Sequence, residues 1–264
     1  MRNSEEVYTL LLNIRPDVIF HFAGVHGSAG TGYEPVWQDM LAVNTGSVQV
    51  LLEYLRIEAP KAKLIYAGSG KVFGPVYPRS ITEQSTMRAS CLYTITKMAA
   101  KDLILYYRVH HGINGSTLFL FNHESEIRPK DFFIPKIIEI LVHAIHDQSY
   151  VGSVDTLDFD CDWGSAEEFM DIVVDISEQV AGDDFVLGTG KTWYARDFVD
   201  TLFRSYGLNY RRHVSTARQK TRLNSLNDPY HVVIKKLESA IHRIPQCSLI
   251  DVCNTILQKN HNIF

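Results

Sequence analysis

Apolar residues gather in three near-continuous runs in the first half of the chain: VIFHFAG (18–24), KLIYAGS (63–69) and STLFLFNH (116–123). Continuous rather than alternating runs read as parallel strands buried on both faces. Between them, apolar positions recur at helical spacing. One helical pattern runs from about Val36 to Ile57 and ends near Pro60; the other runs from about Ser90 to His110 and ends at Gly112. Strand–helix–strand–helix–strand predicts βαβ units, hence an α/β fold with a doubly wound parallel sheet. Each run leads into a short polar segment: GVHGSAGTG, GSGKVFG and NHESEIR. Ligands of open parallel sheets bind beyond the carboxyl ends of the strands, so these segments are where chemistry is expected.

After about residue 130 the rhythm changes. AEEFMDIVVDISEQV (166–180) and WYARDFVDTLFRSYG (193–207) predict helices around a short strand, DFVLG (184–188), and an amphipathic helix is predicted from Ser248 to Leu257. Linkers and small elements dominate this half. The pattern predicts a sheet domain over 1–130 and a smaller lobe over 131–264, with about 166–190 returning to the sheet. No repeat or low-complexity tract interrupts it.

Composition narrows the function classes. A chain of 264 residues with 45% hydrophobic content can form one large α/β domain or two small ones. A net charge of -4 argues against a nucleic-acid surface. The one basic cluster, YRRHVSTARQKTR (210–222), reads as a solvated loop open to an anionic ligand. Cys91, Cys161, Cys247 and Cys253 form no C-x-x-C pair, which argues against zinc and redox motifs and fits a reducing cytoplasm. MRNSEEVYTLLLNIRPD lacks the long apolar core of a signal peptide, and no run is long enough to span a bilayer. The expectation is a soluble cytoplasmic protein with neither nucleic-acid nor membrane partners and no metal.

SCLYTITKMAAKD sets Tyr93 four residues ahead of Lys97. With 13 Tyr in the chain, a Y-x-x-x-K is expected by chance roughly 0.6 times, so context must carry it. At this spacing the two share a helix face. Ile95, Ala99, Leu103 and Tyr106 form a separate apolar stripe, expected to pack on the sheet and leave the pair free. A phenol is a poor base near neutrality, but a nearby ammonium favours its phenolate. Tyr93 could then take a proton from a substrate hydroxyl, and Ser69 at the second strand end could orient that oxygen.

These features resemble the extended short-chain dehydrogenases/reductases that act on nucleotide sugars, and most of all the GDP-mannose 4,6-dehydratases. The segments are IRPDVIFHFAG, LIYAGSGKVFG, LYTITKMAAKDLILYYRVHHGI, LFNHES, FFIPKI, DWGSAEEFMD and DFVLGTGKTWYARDFV. They stand in the family's order from about Asn13 to Tyr210. The resemblance implies a Rossmann-like fold, a smaller substrate lobe, and NAD or NADP as cofactor. It implies a nucleotide-sugar substrate oxidised at C4, then dehydrated, epimerised or reduced. Tyr93 would be the catalytic base and acid, Lys97 would hold the ribose and lower the tyrosine pKa, and Ser69 would meet the substrate hydroxyl. The main chain at Phe22, Ala23 and Gly24, with His123 and Arg128, would contact the cofactor; Asn122 and Lys136 would contact the sugar nucleotide. A homodimer or higher oligomer would form through the Tyr93 helix.

The chain also departs from that pattern. The family opens with a strand and a G-x-x-G-x-x-G turn that receives the pyrophosphate at a helix N-terminus. Here MRNSEEVYTLLLNIRPD matches the helix before the family's fourth strand, so on the order of 60–70 residues would be missing. VIFHFAG is then expected to form an exposed apolar edge, covered by more of a longer gene product, by another chain, or by a rearranged fold. GVHGSAGTG reads as a mobile loop near the substrate rather than a phosphate cradle. Lys71 stands where the dehydratases carry the acid that abstracts the proton beside the new ketone. Cys161 stands where an Arg precedes DWG, and Pro135 where an Arg often precedes the Lys. Two readings follow: an enzyme of this family, or a degenerate, inactive member that partners a complete homologue.

Overall fold

The structure, a computed structural model, describes residues 1–27, 32–217 and 229–263. It divides into two compact units. Unit 1 holds Met1–Phe121, Ile172–Leu187 and Val233–Arg243; unit 2 holds Asn122–Asp171, Gly188–Val232 and Ile244–Phe264. Within the loop GVHGSAGTG, residues 28–31 lie outside the described set, as do residues 218–222 of the basic cluster.

Unit 1 is built on four parallel strands, β1 (Val18–His21), β2 (Lys63–Ala67), β3 (Asn114–Leu120) and β4 (Phe185–Leu187), in that spatial order. β2 and β3 are buried almost throughout, which is why they read as unbroken apolar runs. Three helices, α1 (Ser4–Ile14), α2 (Ser47–Ile57) and α3 (Leu92–His111), build a core with β2 through Leu11, Leu51, Leu55, Leu64, Tyr66 and Ile104. Each fully buried aliphatic or aromatic side chain there stabilises the unit by roughly 1.5–3 kcal/mol. Asn3 caps α1 by accepting from the Glu5 and Glu6 N–H groups. Gly112 ends α3 at φ 66°, a left-handed position that glycine takes without strain. β1 lies at the end of the strand order, and Phe20 and Phe22 beside it are 43% and 39% exposed.

Two expectations for this unit are corrected. The stretch 36–57 is not one helix. A helical turn at Trp37–Leu41 passes into a π turn at Ala42–Gly46 before α2 begins. Ser47 Oγ donates to the Val43 carbonyl at 2.6 Å and the Tyr66 hydroxyl donates to the Asn44 carbonyl at 3.0 Å. These bonds engage carbonyls of the widened turn, a feature that tends to sit at functional sites. The second correction is the phase of α3. Ile95 and Tyr106 of the expected stripe face outward at 42% and 52% exposure, while Lys97, Ala100, Ile104 and Tyr107 face the core. The Lys97 ammonium finds the Ala67 carbonyl, and that bond turns its face of the helix inward.

Unit 2 contains more regular structure than the expected linkers and small elements. Its helices include α4 (Phe133–His146), the start of α5 (Ala166–Gln179), α6 (Ala195–Ser205) and α7 (Leu249–His261). Strand Asn122–Glu124 runs parallel to Asp160–Ser165, which pairs antiparallel with Thr192–Tyr194. Ile134, Ile137, Ile138 and Leu141 recur at helical spacing on α4 and are buried in a core with Trp163 and Phe198. Asp162, fully buried, accepts from the Thr189 N–H, the Thr189 hydroxyl and the Gly190 N–H, and so fixes the turn before Thr192. No helix among the described residues is long and apolar enough to cross a membrane.

Candidate active site

Unit 1 gathers the predicted catalytic residues at the carboxyl ends of β1 and β2. Tyr93 and Lys97 lie on the first turns of α3, and Ser69 follows β2. The Ser69 hydroxyl is hydrogen-bonded to the Tyr93 hydroxyl and favours its ionised form. Burial acts the other way and prevails, so the Tyr93 phenol titrates above its ordinary value, with Cys91 and Tyr33 adding to the rise. The expected lowering by Lys97 is not what this geometry gives. The Lys97 ammonium donates to the Ala67 carbonyl at 2.7 Å and lies 4.7 Å from the Tyr66 ring centre and 5.7 Å from that of Tyr93. Lys97 is nine-tenths or more buried, and desolvation brings its pKa down to about 8. It is therefore a core residue, where the sequence suggested a face left free.

A polar network supports that lysine. The Asn44 amide accepts from the Val25 N–H at 2.8 Å, donates to the Val25 carbonyl at 2.9 Å, and donates to the Thr96 hydroxyl at 3.0 Å. Thr45 donates to the Thr96 carbonyl at 2.9 Å. These bonds pull the chain out of β1 after His21, so the strand is shorter than the apolar run VIFHFAG. His21 Nε2 meets the Ser47 hydroxyl at 2.6 Å, and burial, with the Lys97 charge, holds its imidazole down to about 4. At Gly24 an added Cβ would come 3.7 Å from both the Asn44 Oδ1 and the Lys97 Nζ. The Phe22–Gly24 main chain thus runs beside the buried ammonium.

Sequence reasoning missed three members of the cluster. The His26 ring lies 4.4 Å from that of Tyr93 and 5.8 Å from that of Tyr33. Lys71 donates to the Tyr33 hydroxyl at 2.9 Å. Cys91 caps α3, its thiol facing the Thr94 N–H while Thr94 Oγ1 accepts from the Cys91 N–H at 3.1 Å. Burial raises the Cys91 thiol, but the Thr94 N–H, the Tyr33 hydroxyl and the Lys71 charge together bring it below its ordinary value. Asn44 could have been suspected as a short amide in an apolar helical run. His26, Tyr33 and Cys91 carry no spacing signal, because separate loops bring them in.

The remaining candidates belong to unit 2. The Asn122 amide donates to the Cys161 thiol at 2.9 Å, and Lys136 is exposed on α4. The His123 ring lies 5.5 Å from that of Phe169, and its carbonyl accepts from the Arg128 guanidinium at 3.1 Å. Arg128 Nε stands 3.7 Å from Glu124 Oε2, and the guanidinium lies over the Phe132 ring at 3.9 Å. Burial lifts the Glu124 carboxyl to about 7, against the pull of Arg128. A cavity of about 520 Å³ in this unit is lined by Arg196, Asp200, Arg204 and Arg211. Its pairs Arg196–Asp158 and Arg204–Asp200 read as a solvated, ion-paired helix face. Among the described residues no cluster of His, Cys, Asp and Glu could hold a metal ion.

Comparison with known proteins gives one consistent result. The family model for GDP-mannose 4,6 dehydratase matches residues 1–243. A GDP-mannose 4,6-dehydratase of Sordaria araneosa is 27% identical over 211 residues, which cover 78% of this chain and 38% of that protein. GDP-mannose 4,6 dehydratase 1 of Arabidopsis thaliana is 28% identical over 208 residues, covering 76% and 56%. The chain therefore spans about half the length of these relatives or less. Among solved structures, RMD from Pseudomonas aeruginosa, complexed with NADPH, superposes with a TM-score of 0.81 at 17% identity, covering 97% of this chain and 85% of that one. The dTDP-glucose 4,6-dehydratase of Bacillus anthracis, in complex with NAD, gives 0.80 at 14% identity, covering 99% and 78%. These likenesses establish the Rossmann-type fold.

Proposed function

The chain belongs to the GDP-mannose 4,6-dehydratase family, and from that membership we propose that it serves NAD(P)-dependent modification of a nucleotide-activated hexose. The reaction is oxidation at C4 followed by dehydration, epimerisation or reduction. The observation that carries this reading is the Ser69–Tyr93–Lys97 constellation at the strand ends.

Bound NAD(P) would supply the hydride acceptor. Lys97 suits it: a buried ammonium has three N–H groups, and Ala67 is its one oxygen acceptor among the described residues. Phe22, Ala23 and Gly24 would line the cofactor through their main chain, with His123 and Arg128 as further contacts. Asn122 and Lys136 would contact the sugar nucleotide. Ser69 orients the substrate hydroxyl, and Tyr93 Oη takes its proton and later returns it. Since burial holds the Tyr93 phenol high, proton uptake needs the hydroxyl bond from Ser69 and any positive charge the bound ligands bring. Pairing of copies through α3 fits its exposed Ile95, Tyr106 and Val109. A cytoplasmic setting fits four cysteines that are all free thiols.

The test is NADPH binding by the 264-residue chain, read by fluorescence, and then turnover of GDP-mannose. Tyr93→Phe should keep cofactor binding and lower turnover at least about 100-fold. Absence of binding at millimolar NAD(P) sinks the reading for this chain. A second reading, a non-catalytic partner of a complete homologue, is favoured by Lys71, which brings no carboxylate to the site. It fails if the chain alone is a monomer with full turnover.

A further inference from the structure

Among the described residues, Lys71 is a cation with no carboxylate in contact with it. Its ammonium donates to the Tyr33 hydroxyl and lies 5.5 Å from the centre of that ring. None of its contacts among the described residues is an acid. The neighbouring acid Glu34 is exposed and accepts from the Tyr33 N–H at 3.2 Å. The Lys71 backbone is also close to the reacting groups. The Lys71 N–H donates to Ser69 Oγ at 3.3 Å, and that same Ser69 hydroxyl bonds Tyr93. Lys97 is a second, buried ammonium, 5.7 Å from the centre of the Tyr93 ring. Ser69, Lys71, Tyr33, Cys91, Tyr93 and Lys97 together hold two ammonium groups and no carboxylate. The Lys71 charge is one of the influences that lower the Cys91 thiol.

A half-buried cation gains most from a ligand that brings its own anion. Ser69 and Tyr93 converge on one oxygen of a bound molecule. Lys71, whose backbone N–H meets the Ser69 hydroxyl, carries its ammonium on the Tyr33 hydroxyl in the same cluster. One ammonium beside one phenol suits a carboxylate; a phosphate would call for more donors.

We propose that Lys71 makes this site selective for a nucleotide-linked sugar bearing a carboxylate beside the carbon whose oxygen Ser69 and Tyr93 hold. The substrate is then a nucleotide hexuronate rather than its neutral hexose. The proposal rests on the reading above that this site takes a nucleotide sugar.

The experiment titrates the 264-residue chain, with millimolar NADPH present, against two pairs differing only at C6: GDP-mannuronate with GDP-mannose, and UDP-glucuronate with UDP-glucose. Calorimetry should give the hexuronate of at least one pair an affinity higher by about tenfold or more. Lys71→Gln should erase that preference while leaving the neutral sugar unchanged, Lys71→Glu should reverse it, and Lys71→Arg should keep it. Circular dichroism confirms that each variant is folded, and Lys71→Arg and Lys71→Glu decide the matter if Lys71→Gln is not. Equal affinities within both pairs overturn the proposal, as does a preference that survives loss of the charge. Equal weakening of both pair members by Lys71→Gln also overturns it, since Lys71 then serves the nucleotide phosphates. Binding of none of the four overturns the parent reading together with this one, which separates the two failures.

Discussion

The two units bury different kinds of group. Unit 1 sequesters His21, Asn44, Ser47, Thr94, Thr96 and Lys97 around the ends of β1 and β2. Unit 2 packs Trp163, Phe198, Phe203 and a row of isoleucines; it also buries Glu124, Asp162 and His213, and Asp162 is met by three donors. Burying a charge is unfavourable unless it is compensated. Among the described residues, the only oxygen partner of the Lys97 ammonium is the Ala67 carbonyl. Perturbed, buried ionisable groups of this kind cluster where chemistry is done. Unit 2 holds its own fold by apolar contact. The difference separates a region shaped for reaction from one shaped for cohesion.

The comparison can be broken most directly in unit 2. Phe198→Ala should lower stability by about 3–5 kcal/mol in urea unfolding, with no change in its pH dependence. A loss under about 1 kcal/mol would mean that the aromatic core is not what holds this unit.

Unit 1 should respond to pH instead. The Lys97 pKa is about 8 in the folded chain, below its ordinary 10.5. Between those values the unfolded chain binds the extra proton, so stability rises with pH across that window. The gain should reach up to about 3 kcal/mol, and Lys97→Met should abolish it. Urea midpoints of both proteins at neutral and alkaline pH measure this; parallel curves would show that the ammonium is not desolvated.

A last effect of similar size sharpens the contrast, because unit 2 has buried acids of its own, Glu124 and Asp162. Glu124 titrates near 7 when folded, against an ordinary 4.5. In that window the folded chain holds a proton that the unfolded chain has lost, so stability falls as pH rises from 4.5 to 7. Arg128, 3.7 Å away, already pulls against that rise, and the slope amounts to at most about 3 kcal/mol. Glu124→Gln should flatten that slope in acid-range unfolding curves.

Legibility in the sequence followed the kind of burial. β2 and β3 stood out because both faces are apolar, and the three strand ends led to Tyr93, Lys97 and Ser69. The phase of α3 was not legible, because LYTITKMAAKDLILYYRVHH carries apolar stripes on two faces. Which one turned inward depended on the Ala67 carbonyl, far away in sequence. The π turn was hidden for the same reason, since its carbonyls are claimed by Ser47 and Tyr66 rather than by a local signal. In unit 2, FIPKIIEILVHAIH has helical periodicity on its own, and its helix is legible from the sequence.

The Asn44 amide grips both the Val25 peptide and the Thr96 hydroxyl. Mechanically, the segment leaving β1 and the first turns of α3 are yoked to one pivot. A tug on either is felt at the other, and the Val25 amide, though outside any strand, is locked like a core amide. The Tyr93 turn of α3 cannot shift without dragging the backbone that lies against Lys97, so the two halves of this site share a single hinge.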